Sequence, residues 1–198
     1  MSGIGNGAWT PAGVTLGRVR PYTRGMNRPV RLILSQWPLA AAAISAVMLA
    51  IAHAFQTFGH LAPCELCLKQ RTVYWAAIVL GMGAVGARTA MRNPKLGMLA
   101  CGLFAVLFLY GAGLAGYHAG VEWKWWPGPT SCTGAGSAGA GALLALLHGA
   151  KIKGPQCDVA AWRMLGLSMA GWNALVSLGL AGISVMAALD KEPANERV

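Results

Sequence analysis

Charged residues are scarce in this sequence, and acidic residues are the scarcest of them. Only 11% of the 198 residues are charged, whereas 56% are hydrophobic. An average soluble domain carries roughly 25% charged residues, so the deficit excludes an ordinary soluble domain. The high apolar content also excludes a chain that is disordered throughout, because disordered chains have too little apolar surface to bury. The composition is that of a polytopic membrane protein.

The shortage of acids gives the chain a formal net charge of +10, from 16 Lys and Arg against 6 Asp and Glu. A basic balance of this size can indicate nucleic-acid binding. Here, however, most of the cations lie between apolar runs instead of forming one basic face. That distribution is typical of the signals that set membrane topology. We therefore expect a lipid bilayer, and no nucleic acid, as the partner of these cations.

Four apolar runs are long enough to be considered membrane spans, and they cover residues 38–58, 72–87, 96–121 and 164–189. The second run has only 16 uncharged residues. A span needs about 20 residues, which this run reaches if Arg88 snorkels and Leu66 and Leu68 enter the interface. Small residues, which let helix backbones approach closely in lipid, recur at Gly81, Gly83, Gly86, Gly111, Ala115, Gly116, Gly120, Gly179 and Gly182. The sequence therefore predicts an all-α membrane protein built as a four-helix transmembrane bundle.

Basic residues in the flanks of these runs predict the orientation of the bundle. Basic residues without any acid occupy the segment before the first run and the loop after the second: Arg18, Arg20, Arg24, Arg28, Arg31, Arg88, Arg92 and Lys95. In a four-span chain these two flanks lie on one side, which the positive-inside rule makes cytoplasmic. The loops at residues 59–71 and 122–163 then face outward.

Composition divides the chain into one membrane domain and two tails. Residues 1–30 are predicted to be a disordered cytoplasmic N-terminal tail, residues 31–190 the four-span domain, and residues 191–198 a short cytoplasmic tail. Translation could begin at Met1 or at Met26. The basic residues after Met26 and the sequence Ala52-His53-Ala54 resemble a cleaved signal peptide. The apolar run between them is longer than the roughly 7–15 residues of a signal sequence, so we expect no cleavage.

Four of the five cysteines fall in the predicted outward loops. Cys64 and Cys67 form a C-x-x-C motif, and Cys132 and Cys157 lie in the second loop, whereas Cys101 lies in the third run and is interpreted as a packing residue. An even set of cysteines facing an oxidising compartment favours two disulfides. Structural disulfides and a zinc site are the alternatives. A C-x-x-C disulfide closes a small loop and adds little stability, so it suits a bond that is made and broken.

The residues around the C-x-x-C motif favour a reactive thiol. Pro63 precedes Cys64 and a helix is expected to follow, which would place the sulfur at a helix N-terminus, where thiolates are stabilised. Arg71 is one helical turn beyond Cys67 and is expected on the same face. A cation at this position stabilises a thiolate and favours binding of an electron-rich acceptor. Arg71 could also snorkel to the membrane interface, and the two roles are compatible. Glu65 acts in the opposite direction, because its negative charge disfavours a thiolate.

Three segments of the sequence resemble the family of disulfide bond formation protein B (DsbB). They are PCELCLKQR at residues 63–71, GYHAGVEW at 116–123 followed by Cys132, and CD at 157–158 leading to LGLSMAGWN at 165–173. Their order, their spacing and their places in the topology all agree with that family. The resemblance covers residues 30–190.

The resemblance implies a quinone-dependent thiol oxidase of the bacterial inner membrane that supports protein folding, as in the DsbA–DsbB–quinone relay of the periplasm. A DsbA-like periplasmic thiol oxidase would attack a Cys132–Cys157 disulfide, with Cys132 as the site of the mixed disulfide. Electrons would then pass to the Cys64–Cys67 pair. The acceptor would be ubiquinone or menaquinone from the quinone pool.

The residues implied to bind the quinone are Cys67, Arg71 and His118, and no metal is expected. A lone histidine at the end of a span is nevertheless more often an interfacial hydrogen-bonding residue. Two rival interpretations stay open. One is a dithiol–quinone enzyme with a different thioredoxin-fold partner, and the other is a non-enzymatic membrane protein whose outward cysteines are structural or bind zinc.

The second outward loop has two further features. Residues 134–141 are rich in Gly, Ala and Ser and predict a hinge, and residues 142–148 are apolar but too short to span, so they predict a short interfacial helix. Trp123, Trp125 and Trp126 at the end of the third run are typical of an aromatic belt. A quinone-stacking role for these rings is the alternative.

Overall fold

The computed structural model of the chain describes residues 27–91, 94–129 and 157–189. Within them lie the helices α1 (Arg28–Ser35), α2 (Trp37–Thr57), α3 (Glu65–Met91), α4 (Pro94–Glu122) and α5 (Met169–Leu189), and the strands β1 (Arg163–Met164) and β2 (Leu167–Ser168). Helices α2 to α5 are each long and apolar enough to cross a membrane, which confirms the predicted four-helix transmembrane bundle. The predicted hinge and the predicted interfacial helix of the second loop lie outside the described residues.

Helix α3 confirms the predicted extension of the second span. It has 27 residues, begins at Glu65 and continues past Arg88, so that Leu66 and Leu68 belong to it. The guanidinium of Arg88 donates a hydrogen bond to the backbone oxygen of Ser35 at 3.1 Å. The basic end of α3 therefore lies beside the start of α2, as expected when both basic flanks are at one end of the bundle.

The start of the fourth span differs from the prediction. We expected the span to begin at Met164, but β1 pairs antiparallel with β2 there, with Met164 opposite Leu167. Leu165 and Gly166 form the turn with φ values of 52° and 83°. Positive φ at both central residues is the type I′ pattern, which matches the twist of the two strands. This hairpin contains the apolar residues Met164, Leu165 and Leu167, so α5 begins only at Met169.

The bundle core is apolar and lies where α2, α3, α4 and α5 meet. Phe104 and Phe108 are fully buried, and their rings stack with centroids 5.7 Å apart. The indole N–H of Trp37 donates to Ser184 Oγ at 2.8 Å. That bond joins α2 to α5 and satisfies a polar group that lipid would leave unpaired. Cys101 is buried in the same apolar cluster.

Small residues mark helix contacts at only some of the expected positions. A Cβ atom added at Gly81 would lie 2.6 Å from Ala42 Cβ and 2.7 Å from the Pro38 oxygen, and one at Gly111 would lie 3.0 Å from Val73. Apart from the nearby backbone of its own helix, no described atom lies within 4 Å of a Cβ atom added at Gly83, Gly86, Gly116, Gly179 or Gly182. For those five glycines the expectation of close packing is wrong, because they face away from the neighbouring described helices.

Candidate functional site

Cys64 and Cys67 lie where the chain enters α3. The Cys64 carbonyl accepts a hydrogen bond from the Leu68 N–H at 3.1 Å, and its sulfur accepts one from the Cys67 N–H at 3.4 Å. Cys64 therefore occupies the helix N-terminus, as the sequence predicted, and its sulfur takes the place of a capping oxygen. The two sulfurs are 3.0 Å apart, with the Cys64 thiol donating to Cys67. Both cysteines are free.

The Cys64 thiol holds its proton more firmly than an ordinary thiol. The hydrogen bond to Cys67 and burial of the side chain raise the pKa of Cys64, and the backbone N–H groups of Cys67 and Leu66 oppose this rise only in part. The backbone N–H groups at the helix N-terminus favour a thiolate at Cys64, as expected, but the hydrogen bond to Cys67 and burial outweigh them. Glu65 forms an ion pair with Lys69 at 2.7 Å. In the hydrogen bond between the two cysteine sulfurs, Cys64 is the donor and Cys67 is the acceptor.

Cys157 is fully buried and disulfide-bonded beside Cys64. The Cys64 sulfur, the Cys157 sulfur and His118 Nε2 all lie within 4.8 Å of one another. Such convergence could suit a metal ion, but a disulfide-bonded cysteine is not a thiolate ligand, and the remaining thiol and imidazole are too few for a tetrahedral zinc site. A free thiol next to a disulfide sulfur is instead the arrangement that thiol–disulfide exchange needs. Cys132 lies outside the described residues.

A chain of hydrogen bonds that crosses three helices holds His118. Gln70 Nε2 on α3 lies 2.8 Å from His118 Nδ1, and Asn173 on α5 donates to Gln70 Oε1 at 2.5 Å. The Tyr74 hydroxyl donates to Asn173 Oδ1. Because the amide oxygen of Gln70 is occupied, its NH₂ group faces the imidazole and donates to Nδ1, which leaves the ring hydrogen on Nε2. His118 is 3% exposed, and its Nε2 is 3.7 Å from the Cys64 sulfur.

An apolar cavity of about 410 Å³ lies beside the cysteine pair. Its apolar wall includes Leu49, Phe55, Trp162, Met169 and Val176. The rings of Phe55 and Trp162, with centroids 5.3 Å apart, bring α2 against the residues that precede β1. The polar part of the lining includes Cys64, Cys67, Gln70, Arg71, His118 and Glu122. A mostly apolar cavity of this size with a few polar groups fits a small organic ligand.

Arg71 lines the cavity together with Cys67, one helical turn away, as the spacing predicted. One guanidinium nitrogen donates to Gln56 Oε1 at 2.6 Å, and the other donates to the Ala52 backbone oxygen at 3.1 Å. These bonds tie α3 to the last turns of α2 and fix the cation at the cavity wall. An arginine has five N–H donors, so others are left for a ligand.

Residues just after α4 contact the segment that contains the disulfide-bonded cysteine. Lys124 Nζ forms an ion pair with Asp158 Oδ2 at 2.6 Å. Trp123, Trp125 and Trp126 pack against one another nearby and remain partly exposed. None of these three rings lines the cavity described above. Their placement favours the aromatic belt over a ligand-stacking role.

Three residues of the site were not among the predicted ones: Gln70, Asn173 and Glu122. Glu122 is 8% exposed, with Oε1 3.8 Å from His118 Nε2. A sequence signal for it existed, because His118 and Glu122 are one turn apart in an apolar run, where ionisable residues are rare and commonly functional. Gln70 and Asn173 lie in two of the segments that carry the family resemblance, but their pairing could not be predicted because it depends on how α3 meets α5.

Comparisons with known proteins agree on one family. The family model described as disulfide bond formation protein DsbB matches residues 35–187. Proteins named Disulfide bond formation protein B from Dechloromonas aromatica, Nitrosococcus oceani and Methylococcus capsulatus are 29%, 31% and 31% identical to the chain. In the same order, the alignments cover 74%, 72% and 71% of this chain and 87%, 83% and 85% of the relatives. No solved structure matches the chain.

Proposed function

Because the chain belongs to the DsbB family of membrane oxidoreductases that act in disulfide bond formation, we propose that it oxidises a periplasmic thioredoxin-fold partner and passes the electrons to a membrane quinone. One observation carries the proposal. A free C-x-x-C pair, with sulfurs 3.0 Å apart, lies both at the wall of an apolar cavity and beside the disulfide-bonded Cys157. Dithiol, disulfide and ligand cavity are the three parts that such a reaction needs.

On the partner side, the reaction is a series of thiol–disulfide exchanges. A reduced DsbA-like partner attacks Cys132 of a Cys132–Cys157 disulfide and releases the Cys157 thiolate. Cys157 then attacks Cys64 of an oxidised Cys64–Cys67 pair, which their separation of no more than 4.8 Å supports, and Cys67 leaves. The partner's second thiol frees Cys132, which attacks Cys157 and restores the first disulfide. Each attack forms one S–S bond and breaks one, so two electrons move together.

On the acceptor side, the cavity residues fit a quinone. Apolar walls suit its ring and its prenyl tail, and Arg71 and His118 offer N–H groups to its oxygens. When bound, ubiquinone or menaquinone would supply a two-electron acceptor. Cys64 and Cys67 give up the electrons as their S–S bond forms. Cys67 accepts the hydrogen bond between the two sulfurs, and we assign it as the cysteine that contacts the quinone.

We also propose residues 31–190 as one domain in the bacterial inner membrane, with residues 1–30 and 191–198 as cytoplasmic tails. The distribution of basic residues supports this orientation. Arg88 contacts Ser35 at one end of the bundle, whereas Cys64 lies at the other end of α3. The cysteine end would then face the periplasm, where the partner is found.

The test uses the purified full chain in detergent, a short-chain ubiquinone analogue and a reduced thioredoxin-fold oxidase. We expect one quinone to be reduced for each partner disulfide formed, as followed by quinone absorbance. Cys67→Ser should abolish the reaction, whereas Cys101→Ala, in the apolar core, should retain it. The proposal is overturned if the wild type consumes neither this analogue nor a menaquinone analogue while its cysteines accept electrons from the partner.

A further inference from the structure

The carboxyl group of Glu122 is a buried ionisable group that the mechanism above leaves unused. Glu122 is 8% exposed and lines the same cavity as Cys64 and Cys67. Its Oε2 atom has no hydrogen-bond partner among the described residues. Leaving a buried carboxylate oxygen unpaired is costly, so the group calls for a physical explanation.

The surroundings of Glu122 hold one of its oxygens and leave the other open. His118, on α4 itself, has its Nε2 atom 3.8 Å from Oε1, beyond hydrogen-bond distance. Ser168 of β2 is within hydrogen-bonding reach of the carboxyl group, and Arg163 of β1 and Cys67 of α3 are close enough to act on its charge. The carboxyl group is therefore held in a fixed position, with Oε2 left to take up or release a proton.

Oxidation of the cysteine pair to a disulfide releases two protons. Cys64 and Cys67 lose one electron each as their S–S bond forms, and both S–H bonds break. The quinone takes up the same two electrons and two protons to give the hydroquinone. Water is a poor carrier for these protons in a mostly apolar cavity, so a fixed side chain that accepts and returns a proton accelerates the reaction.

We propose that Glu122 is the proton carrier of this reaction, accepting at Oε2 a proton released by the cysteine pair and delivering it to the quinone in the same cavity. This inference rests on the proposed function and adds a residue to it. Glu122 carries the two protons one after the other and is a carboxylate again after each delivery, so atoms and electrons balance without a further reactant.

Two substitutions test the role of the carboxyl group. Glu122→Gln keeps the size of the side chain but cannot carry a proton, whereas Glu122→Asp keeps the acid. In pre-reduced protein, we expect Glu122→Gln to slow quinone reduction roughly 10²-fold and to remove the inflection of the pH–rate profile that the carboxyl group causes. Glu122→Asp should keep an inflection, displaced from that of the wild type. The control is Glu192→Gln, which removes an acid outside the motif of the cysteine pair and should keep the wild-type profile.

A second measurement needs no quinone. Infrared difference spectra of the quinone-free protein between high and low pH should show a protonated carboxylic acid in a dry site, absent in Glu122→Gln and retained in Glu192→Gln. If the wild type reduces no quinone, the proposed function fails, and the infrared band still decides whether Glu122 titrates. If the wild type reduces quinone and Glu122→Gln equals it at every pH, the role of Glu122 is overturned. Should Glu122→Gln not fold, a Glu122→Asp profile identical to that of the wild type overturns it.

Discussion

At the scale of single residues, the site depends on buried polar side chains whose partners come from other helices. Gln70 is satisfied by His118 on one side and by Asn173 on the other. A buried hydrogen bond contributes a net ~0.5–1.5 kcal/mol, but a buried polar group left unpaired costs ~1–3 kcal/mol. The three side chains therefore hold one another in a single arrangement. That arrangement places the imidazole 3.7 Å from the Cys64 sulfur.

The ion pair between Lys124 and Asp158 should make the Cys157 segment sensitive to acid. The hydrogen bond from Lys124 lowers the pKa of Asp158 from its ordinary 3.8. Since the folded pKa is the lower one, the stabilisation is complete above the unfolded pKa and is lost as the pH falls through the folded value. We expect reduction of the Cys157 disulfide by a small phosphine to accelerate below about pH 4. Asp158→Asn should be faster already at neutral pH, by no more than about fivefold, because exposed ion pairs contribute little.

The same experiment carries its own controls. Lys124→Gln removes the other partner and should match Asp158→Asn, whereas Glu65→Gln breaks an exposed ion pair at the start of α3 and should behave as the wild type. An unchanged acid-dependent acceleration in Asp158→Asn would show that another group controls access to this disulfide.

How much of the site the sequence predicted depends on whether a feature is local. Helical spacing predicted Cys64 at the start of α3 and Arg71 on the face of Cys67, because both follow from positions a few residues apart. The raised pKa of Cys64 could not be predicted, since it depends on burial and on where the second sulfur points. The contact between Asn173 and Gln70 was equally beyond prediction, because it arises only where α5 packs on α3.

At the scale of elements, the spans were predictable because apolar runs and the charges that flank them are local signals. The predicted runs at residues 38–58 and 96–121 agree closely with α2 and α4. The fourth prediction began too early because hydrophobicity alone does not distinguish a short apolar strand from a helix. The pair Leu165-Gly166, with positive φ at both residues, makes the turn that separates the hairpin from α5.

Helices α2 and α3 contact each other closely at Gly81. A Cβ atom at Gly81 would lie 2.6 Å from Ala42 Cβ and 2.7 Å from a backbone oxygen, so Gly81→Ala must push the helices apart. We expect a loss of roughly 1–3 kcal/mol in the free energy of unfolding, measured with denaturant in detergent micelles. Gly83→Ala is the matched control, because its Cβ meets no described atom beyond the nearby backbone of its own helix, and alanine favours the helix. Equal stability of the two variants would mean that this contact does not limit how closely the helices pack.

In the molecule as a whole, the two ends of the bundle carry different groups: basic residues at one end, and the cysteines with their cavity at the other. Arg88 and helix α1, which contains Arg28 and Arg31, lie together at the end where Arg88 meets Ser35. The thiols, the disulfide-bonded Cys157 and the cavity lie at the opposite end, where α3 begins and α4 finishes. An apolar cavity at a bundle end suits an apolar ligand that diffuses in the membrane.

The two ends of the bundle are expected to face opposite sides of the membrane. In a cysteine-free background, Phe58→Cys would place a thiol at the cysteine end, where Phe58 is 85% exposed, and Thr89→Cys would place one at the exposed basic end. We expect an impermeant maleimide to label Phe58→Cys in cells whose inner membrane is intact, and Thr89→Cys only after that membrane is permeabilised. The opposite pattern would place the C-x-x-C pair in the cytoplasm. Thiols are kept reduced there, and an oxidase of secreted dithiols could not work from that side.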